Sequence, residues 1–137
     1  MNQYVLDACA LMALLQNEPG ADKVASIINT AYSGKATITI NTINLLEIYY
    51  DAYRSHGKEQ ADRMIAELEK RLIVVNHEIN GKLFEEAGRF KATYKISLAD
   101  SIALAQALVL DAELLTADHH EFDAVEKSEP IRFLWIR

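Results

Sequence analysis

The chain has 137 residues, half of them apolar and a quarter charged, with 14 Lys and Arg against 20 Asp and Glu for a net charge of −6. That length is expected to form one domain, residues 1–137, burying roughly two-thirds of its unfolded surface. The balance is that of an ordinary globular protein, and it argues against a disordered tail and against a basic coat that binds nucleic acid without regard to sequence. A single cysteine, Cys9, excludes any disulfide within the chain. The first residues, Met1 to Asp7, lack the basic start of a secretory leader, so a reducing cytoplasm is the expected compartment. The longest apolar run, Ala8 to Leu15, is far short of the roughly 20 residues a membrane span needs, so no membrane association is expected.

Short strand-like and longer helix-like stretches alternate along the chain. Tyr4-Val5-Leu6 is brief and β-prone, and Ala8 to Asn17, rich in Ala and Leu, reads as helix. Pro19 is expected to open the next helix, where its missing N–H costs little, and Ser33-Gly34 to close it after Tyr32. Ala36 to Ile40 alternates and is β-branched, the pattern of a strand. Asn41 is a good cap for a helix from Thr42 to about Ser55, and His56-Gly57 breaks it. A polar-faced helix from Lys58 to Arg71 leads to a strand at Leu72 to Val75. Helices follow at Ile79 to Tyr94 and at Ser97 to Leu110, then strands at Glu113 to Thr116 and Arg132 to Ile136. This exchange of strand and helix predicts a parallel sheet with helices on both faces. In such sheets ligands bind beyond the carboxyl ends of the strands.

Four acids fall at places that lead there. Asp7 follows the first strand, and alone it reads as a helix cap. Glu47 lies at the edge of the apolar arc formed by Ile43, Leu46, Tyr49, Tyr50 and Tyr53. A carboxylate at that border is costly unless it is paired, metal-bound or turned to solvent. Asp100 ends Ser97-Leu98-Ala99-Asp100, which has the form of a capping box, yet the helix it opens is apolar almost all round. Asp118 follows Thr116 at the end of a strand, in a stretch that reads otherwise as an acidic surface turn. Four acids gathered at one edge would repel one another without a cation. Oxygen-only ligation suits Mg²⁺ or Mn²⁺. Such an ion would also let an acidic protein approach a phosphodiester.

These stretches resemble the PIN domain: Val5-Leu6-Asp7 before an apolar helix, the Glu47 helix after an alternating strand, Leu98 to Ala105 around Asp100, and Leu114 to Phe122 around Asp118. The similarity runs from Tyr4 to Ile136, and the short chain is similar to VapC-type toxins of toxin–antitoxin pairs. It implies a three-layer α/β/α sandwich with a central parallel sheet of four to five strands. It further implies a Mg²⁺- or Mn²⁺-dependent endoribonuclease with an RNA substrate, a homodimer, and inhibition by a cognate antitoxin. Carried over by position, Asp7, Glu47, Asp100 and Asp118 match the family's acidic quartet as metal ligands and catalytic groups. Thr116 matches a hydroxyl that the family places near metal or phosphate. Two positions depart from the pattern. Asn41 and Asn44 stand where Ser or Thr is usual, and both could hydrogen-bond a carboxylate or a metal-bound water. His120 stands where a further acid often follows, with Glu121 and Asp123 as the alternatives.

Other features carry less. His119-His120 reads as a pair of exposed turn histidines, and Cys9 as a small hydrophobe. The tyrosines Tyr49, Tyr50 and Tyr53 read as core or dimer contacts before base-stacking groups. Arg89, Lys91 and Lys95 read as a solvated face before RNA contacts. The apolar faces around Tyr49 to Tyr53 and Leu104 to Leu110 are expected to meet in a twofold dimer. Two rival functions remain. One is a non-catalytic PIN-like module that holds RNA or protein. The other is a phosphoacceptor domain, which needs paired acids near the first strand where this chain has Asp7 alone.

Overall fold

A computed structural model describes residues 2–137 of the chain. Five strands, β1 (Asn2–Leu6), β2 (Ala36–Asn41), β3 (Val74–Asn76), β4 (Glu113–Thr116) and β5 (Arg132–Trp135), form one sheet. Its order is β3-β2-β1-β4-β5, and every pairing is parallel. Seven helices connect the strands: α1 (Ala8–Leu15), α2 (Ala21–Tyr32), α3 (Thr42–His56), α4 (Lys58–Glu69), α5 (Gly81–Thr93), α6 (Leu98–Leu110) and α7 (His119–Ser128).

Alternation along the strands divides the interior into two cores. Val5 and Leu114 face one way and pack with Phe90 of α5, Leu104 of α6 and Phe122 of α7. Leu6, Ile38, Ile40 and Leu115 face the other way and pack with Leu11 of α1, Val24 of α2, Ile48 of α3 and Leu68 of α4. Two helical layers thus enclose the sheet, as the α/β/α expectation has it. Helix α6 is the most deeply buried, with Ala103, Leu104 and Ala105 fully sequestered. Its small side chains let it lie close against both β1 and α5, and enlarging one would overpack the core at a cost of about 1–3 kcal/mol.

Three local expectations are corrected. Pro19 does not open α2; the helix starts at Ala21 after Gly20, whose φ is +97°. A Cβ at Gly20 would lie 2.6 Å from the Ile136 carbonyl oxygen, so the tight passage of the C-terminal segment requires glycine there. The stretch after Asp118 is a helix, α7, and not a turn; it is short and mostly polar and buries little beyond Phe122 and Val125. From Leu104 to Leu110 the apolar residues of α6 are mostly core and not spare surface: Leu104 and Ala107 are buried, and Val109 is the one large apolar side chain of that stretch that is substantially exposed.

The strand order reverses beside β1. The chain leaves β1 toward β2 on one side, while β4 pairs with β1 on the other. Beyond the carboxyl ends of β1 and β4 the connections part to opposite sides, which is where open α/β sheets bind their ligands. Asp7 follows β1, and Asp118 comes two residues after β4 ends at Thr116.

Candidate active site

Asp7 is 1 % exposed and caps α1. Its Oδ1 accepts the Ala10 N–H at 2.8 Å, and its carboxylate accepts the Thr116 hydroxyl. The cap expected from sequence is therefore real, but it is not the whole account. Burial pushes the carboxyl up to about 7, against the pull of those two donors and with help from the nearby charges of Asp100 and Asp118.

Asp100 occupies the third position of α6. Ser97 caps that helix, with its Oγ accepting the Asp100 N–H at 3.0 Å. The capping box therefore exists as well. The Asp100 carboxyl, however, is raised to about 6, chiefly by burial and then by the charges of Asp118, Glu121 and Glu47. A residue that served only as a cap partner would not need a half-buried place among three other acids.

Asp118 caps α7, and its Oδ1 accepts the Glu121 N–H at 3.2 Å. This brings Asp118 and Glu121 together with Asp100: one carboxylate oxygen from each lies within 4.8 Å of the others. The sequence offers Glu121 and Asp123 as alternatives, and the fold separates them. Glu121 joins the cluster, while Asp123 is exposed and meets the His119 ring at 3.0 Å. The signal was present in the chain, since Asp118-x-x-Glu121 has the spacing by which a cap and the third helical residue face each other.

Glu47 stands slightly apart. It is half-buried on α3, its carboxyl raised by burial, and it makes no hydrogen bond or ion pair with a described residue. Its charge is felt at Asp100, so α3 contributes to the same acidic neighbourhood. Of the four expected acids, then, Asp100 and Asp118 sit in the close triad with Glu121, and Asp7 and Glu47 flank it.

Thr116 is fully buried and acts from beneath. Besides donating to Asp7, its Oγ1 accepts the Asp118 N–H at 3.0 Å. It clamps the ends of β1 and β4 together and orients two of the acids. Asn41 and Asn44 are likewise buried supports. Asn41 Oδ1 caps α3 through the Ile43 N–H at 2.9 Å, and its Nδ2 donates to Gln106 of α6 at 3.1 Å. Asn44 Nδ2 points at the Ala99 carbonyl at 3.5 Å, next to Asp100. Both amides tie α3 to α6 and so hold Glu47 and Asp100 in register. Arg89 of the basic stretch is committed to ion pairs with Glu86 and Glu129.

The donor set is oxygen only, which suits a hard divalent cation. The Glu121 Oε2 atom is buried and has no hydrogen-bond partner. A buried, unsatisfied carboxylate oxygen beside two other carboxylates is costly unless a cation completes it. On that ground the residues fit a divalent metal. A larger hollow of about 600 Å³ opens elsewhere, along β2 and β3 near Thr37, Val74 and Asn76, and none of these acids lines it.

Fold and site together define a parallel α/β protein with an acidic, oxygen-donor centre at its topological switch point. The PIN domain family model matches residues 4–128, and the chain belongs to that family. Among solved structures it is similar to the VapBC-1 complex of nontypeable Haemophilus influenzae, at 23% identity with 98% of each chain covered and a TM-score of 0.72. It is similar also to DNA-bound VapBC of Salmonella typhimurium, at 19% identity over the whole of both chains with a TM-score of 0.76. A third is VapC20 of Mycobacterium tuberculosis, described as a sarcin-ricin loop cleaving toxin, at 16% identity with 88% of this chain and 94% of that one covered and a TM-score of 0.62. At these identities the likeness is one of fold. No match to the chain is found among curated proteins.

Proposed function

We propose that this protein is a metal-dependent endoribonuclease that acts as the toxin of a toxin–antitoxin pair, in the cytoplasm, as a single PIN domain. The observation that carries the reading is the triad of Asp100, Asp118 and Glu121 with its unsatisfied buried oxygen at the switch point. Asp7 and Glu47 complete the acidic set from β1 and α3. Mg²⁺ or Mn²⁺ held by these carboxylates would offset the substrate's charge, polarise the phosphoryl group and lower the pKa of water. The protein's own groups orient that chemistry. Thr116 and the Ala10 N–H fix Asp7, and the first turn of α7 fixes Asp118 against Glu121. Glu47, half-buried and without a hydrogen-bond or ion-pair partner among the described residues, is the carboxylate we assign to take a proton from attacking water.

An antitoxin and a second copy of this chain are the partners this reading implies. Three of the similar solved structures are described as VapBC or toxin–antitoxin complexes. Light scattering on the purified chain, with and without the product of a neighbouring short reading frame, tests both partners. No described helix is long and apolar enough to cross a membrane. A non-catalytic RNA- or protein-binding module has no use for clustered acids that destabilise one another, so the cluster favours an enzyme. The test is cleavage of total RNA with Mg²⁺ or Mn²⁺ against an EDTA control. Metal-dependent cuts are expected, and RNA left intact with either ion would overturn the assignment.

A further inference from the structure

A hollow of about 280 Å³ lies beside the acidic cluster, between the start of α1 and one stripe of α3. Cys9 and Met12 line one wall, and Glu47, Tyr50, Asp51 and Arg54 line the other. Cys9 comes two residues after Asp7, and Glu47 belongs to both the hollow and the acidic neighbourhood. The hollow therefore continues the site outward. Its volume is near the lower end for ligand pockets, which suits one flat group and not a folded partner.

Glu47, Tyr50 and Arg54 stand at i, i+3 and i+7 and share one face of α3. The three tyrosines of this helix differ in their commitments. The Tyr49 hydroxyl donates to Asp62 at 2.8 Å, and its ring meets Tyr53 edge-on at 6.0 Å between centroids. Tyr50 is 49 % exposed at the hollow, and the Arg54 guanidinium lies 5.8 Å from its ring centroid. A half-exposed aromatic ring with a mobile cation over it supplies the chemistry by which proteins hold unpaired nucleotides, the ring stacking a base and the cation meeting phosphate. Arg54 also pairs with Asp51 at 2.9 Å, but both groups are exposed, and such a pair is weak and easily exchanged for phosphate. Seven residues along a helix are about 10 Å, so Arg54 reaches the backbone a nucleotide or two from a phosphate held at the acids.

We infer that Tyr50 and Arg54 bind the nucleotide beside the scissile phosphate, with its base stacked on Tyr50 and its backbone phosphate on Arg54. The inference rests on the nuclease reading and names residues that select the substrate. A base can lie on Tyr50 only if it has left its own stack, so the RNA must be unpaired at that position.

The test uses a short single-stranded oligoribonucleotide carrying 2-aminopurine, whose fluorescence is quenched on stacking, with the same strand in a duplex as control. Wild-type protein is expected to quench the single strand and not the duplex. Tyr50→Ala should weaken binding on the order of tenfold, with a higher KM and little change in kcat, while Tyr50→Phe should bind as wild type does. Arg54→Ala should weaken binding less and flatten its salt dependence. Tyr50 is half exposed, so its removal leaves the fold intact, which the melting temperature verifies. Equal quenching by wild type and Tyr50→Ala would overturn the inference. So would a Tyr50→Ala variant that binds RNA normally but no longer binds a protein partner. Quenching through Tyr50 by a protein that cuts no RNA would sink the nuclease reading and leave the nucleotide platform standing. Normal cleavage parameters in Tyr50→Ala would do the reverse.

Discussion

Two charged clusters of this molecule face opposite electrostatic fates. At the far end of α5, Arg89 donates to both oxygens of Glu129 at 2.9 and 3.1 Å and to Glu86 at 2.7 Å, and the Tyr94 hydroxyl adds a bond to Glu129 at 2.6 Å. There the Arg89 hydrogen bonds draw the carboxyls of Glu86 and Glu129 below their usual range. At the carboxyl ends of β1 and β4, by contrast, burial and mutual repulsion push Asp7 up to about 7 and Asp100 up to about 6. The first cluster is complete within the chain and fastens α5 to the end of α7. The second has no ion pair among the described residues to offset its charges. Carboxyls perturbed in this way cluster at functional sites.

The sharpest way to break the contrast is to remove one charge from the incomplete cluster. Asp100→Asn retains the shape of the side chain and its place next to Ser97. If the cluster holds a metal, cleavage of RNA should fall by orders of magnitude, while the melting temperature in EDTA stays level or rises as repulsion is relieved. Wild-type cleavage by this variant would return Asp100 to the capping box alone.

The next largest effect is on stability against pH in EDTA. Asp7 titrates near 3.8 when unfolded and near 7 when folded. Below the lower value it is protonated in both states and costs nothing. Between the two, the unfolded chain gives up its proton and the folded protein holds it, so stability falls as pH rises and levels off above 7. A shift of about three units corresponds to roughly 4 kcal/mol. Denaturant unfolding from pH 4 to 8 should show this decline, and Asp7→Asn should flatten most of it. Adding Mn²⁺ at pH 8 should restore stability to the wild type; a midpoint that ignores the metal counts against the site.

The complete cluster should respond in the opposite way. Arg89→Ala leaves the Glu129 carboxylate, whose side chain is only 9 % exposed, with the Tyr94 hydroxyl but without its cation. We expect a loss of about 1–2 kcal/mol, moderated by the 43 % exposure of Arg89 itself, with no change in metal affinity. Calorimetric titration with Mn²⁺ separates the two effects. The smallest response belongs to an ordinary surface pair. Arg63 and Glu59 meet at 2.6 Å with both side chains mostly exposed, and Arg63→Ala should leave the midpoint unmoved.

Much of the architecture was legible along the chain. The β-branched run from Ala36 and the apolar helix after Ser97 have periods and boundaries set by nearest neighbours, and both form close to where the spacing puts them. The placement of Asp7 and Asp118 after strands was legible for the same reason. Tertiary structure decided what local pattern could not. The Asp118-x-x-Glu121 spacing marks where helix α7 can start, but the helix persists because Phe122 and Val125 find a core contributed by β1, β4, α5 and α6. The choice of Glu121 over Asp123 depends on which side of α7 faces Asp100, which follows from how two helices distant in sequence pack. Thr116 and the two asparagines became supports beneath the acids because burial turned their hydrogen bonds inward. Sequence determines the period of a segment and the chemistry of its side chains. The distances between segments come from the sheet, because its strand order sets which loops share an edge and packing sets how closely their charges approach.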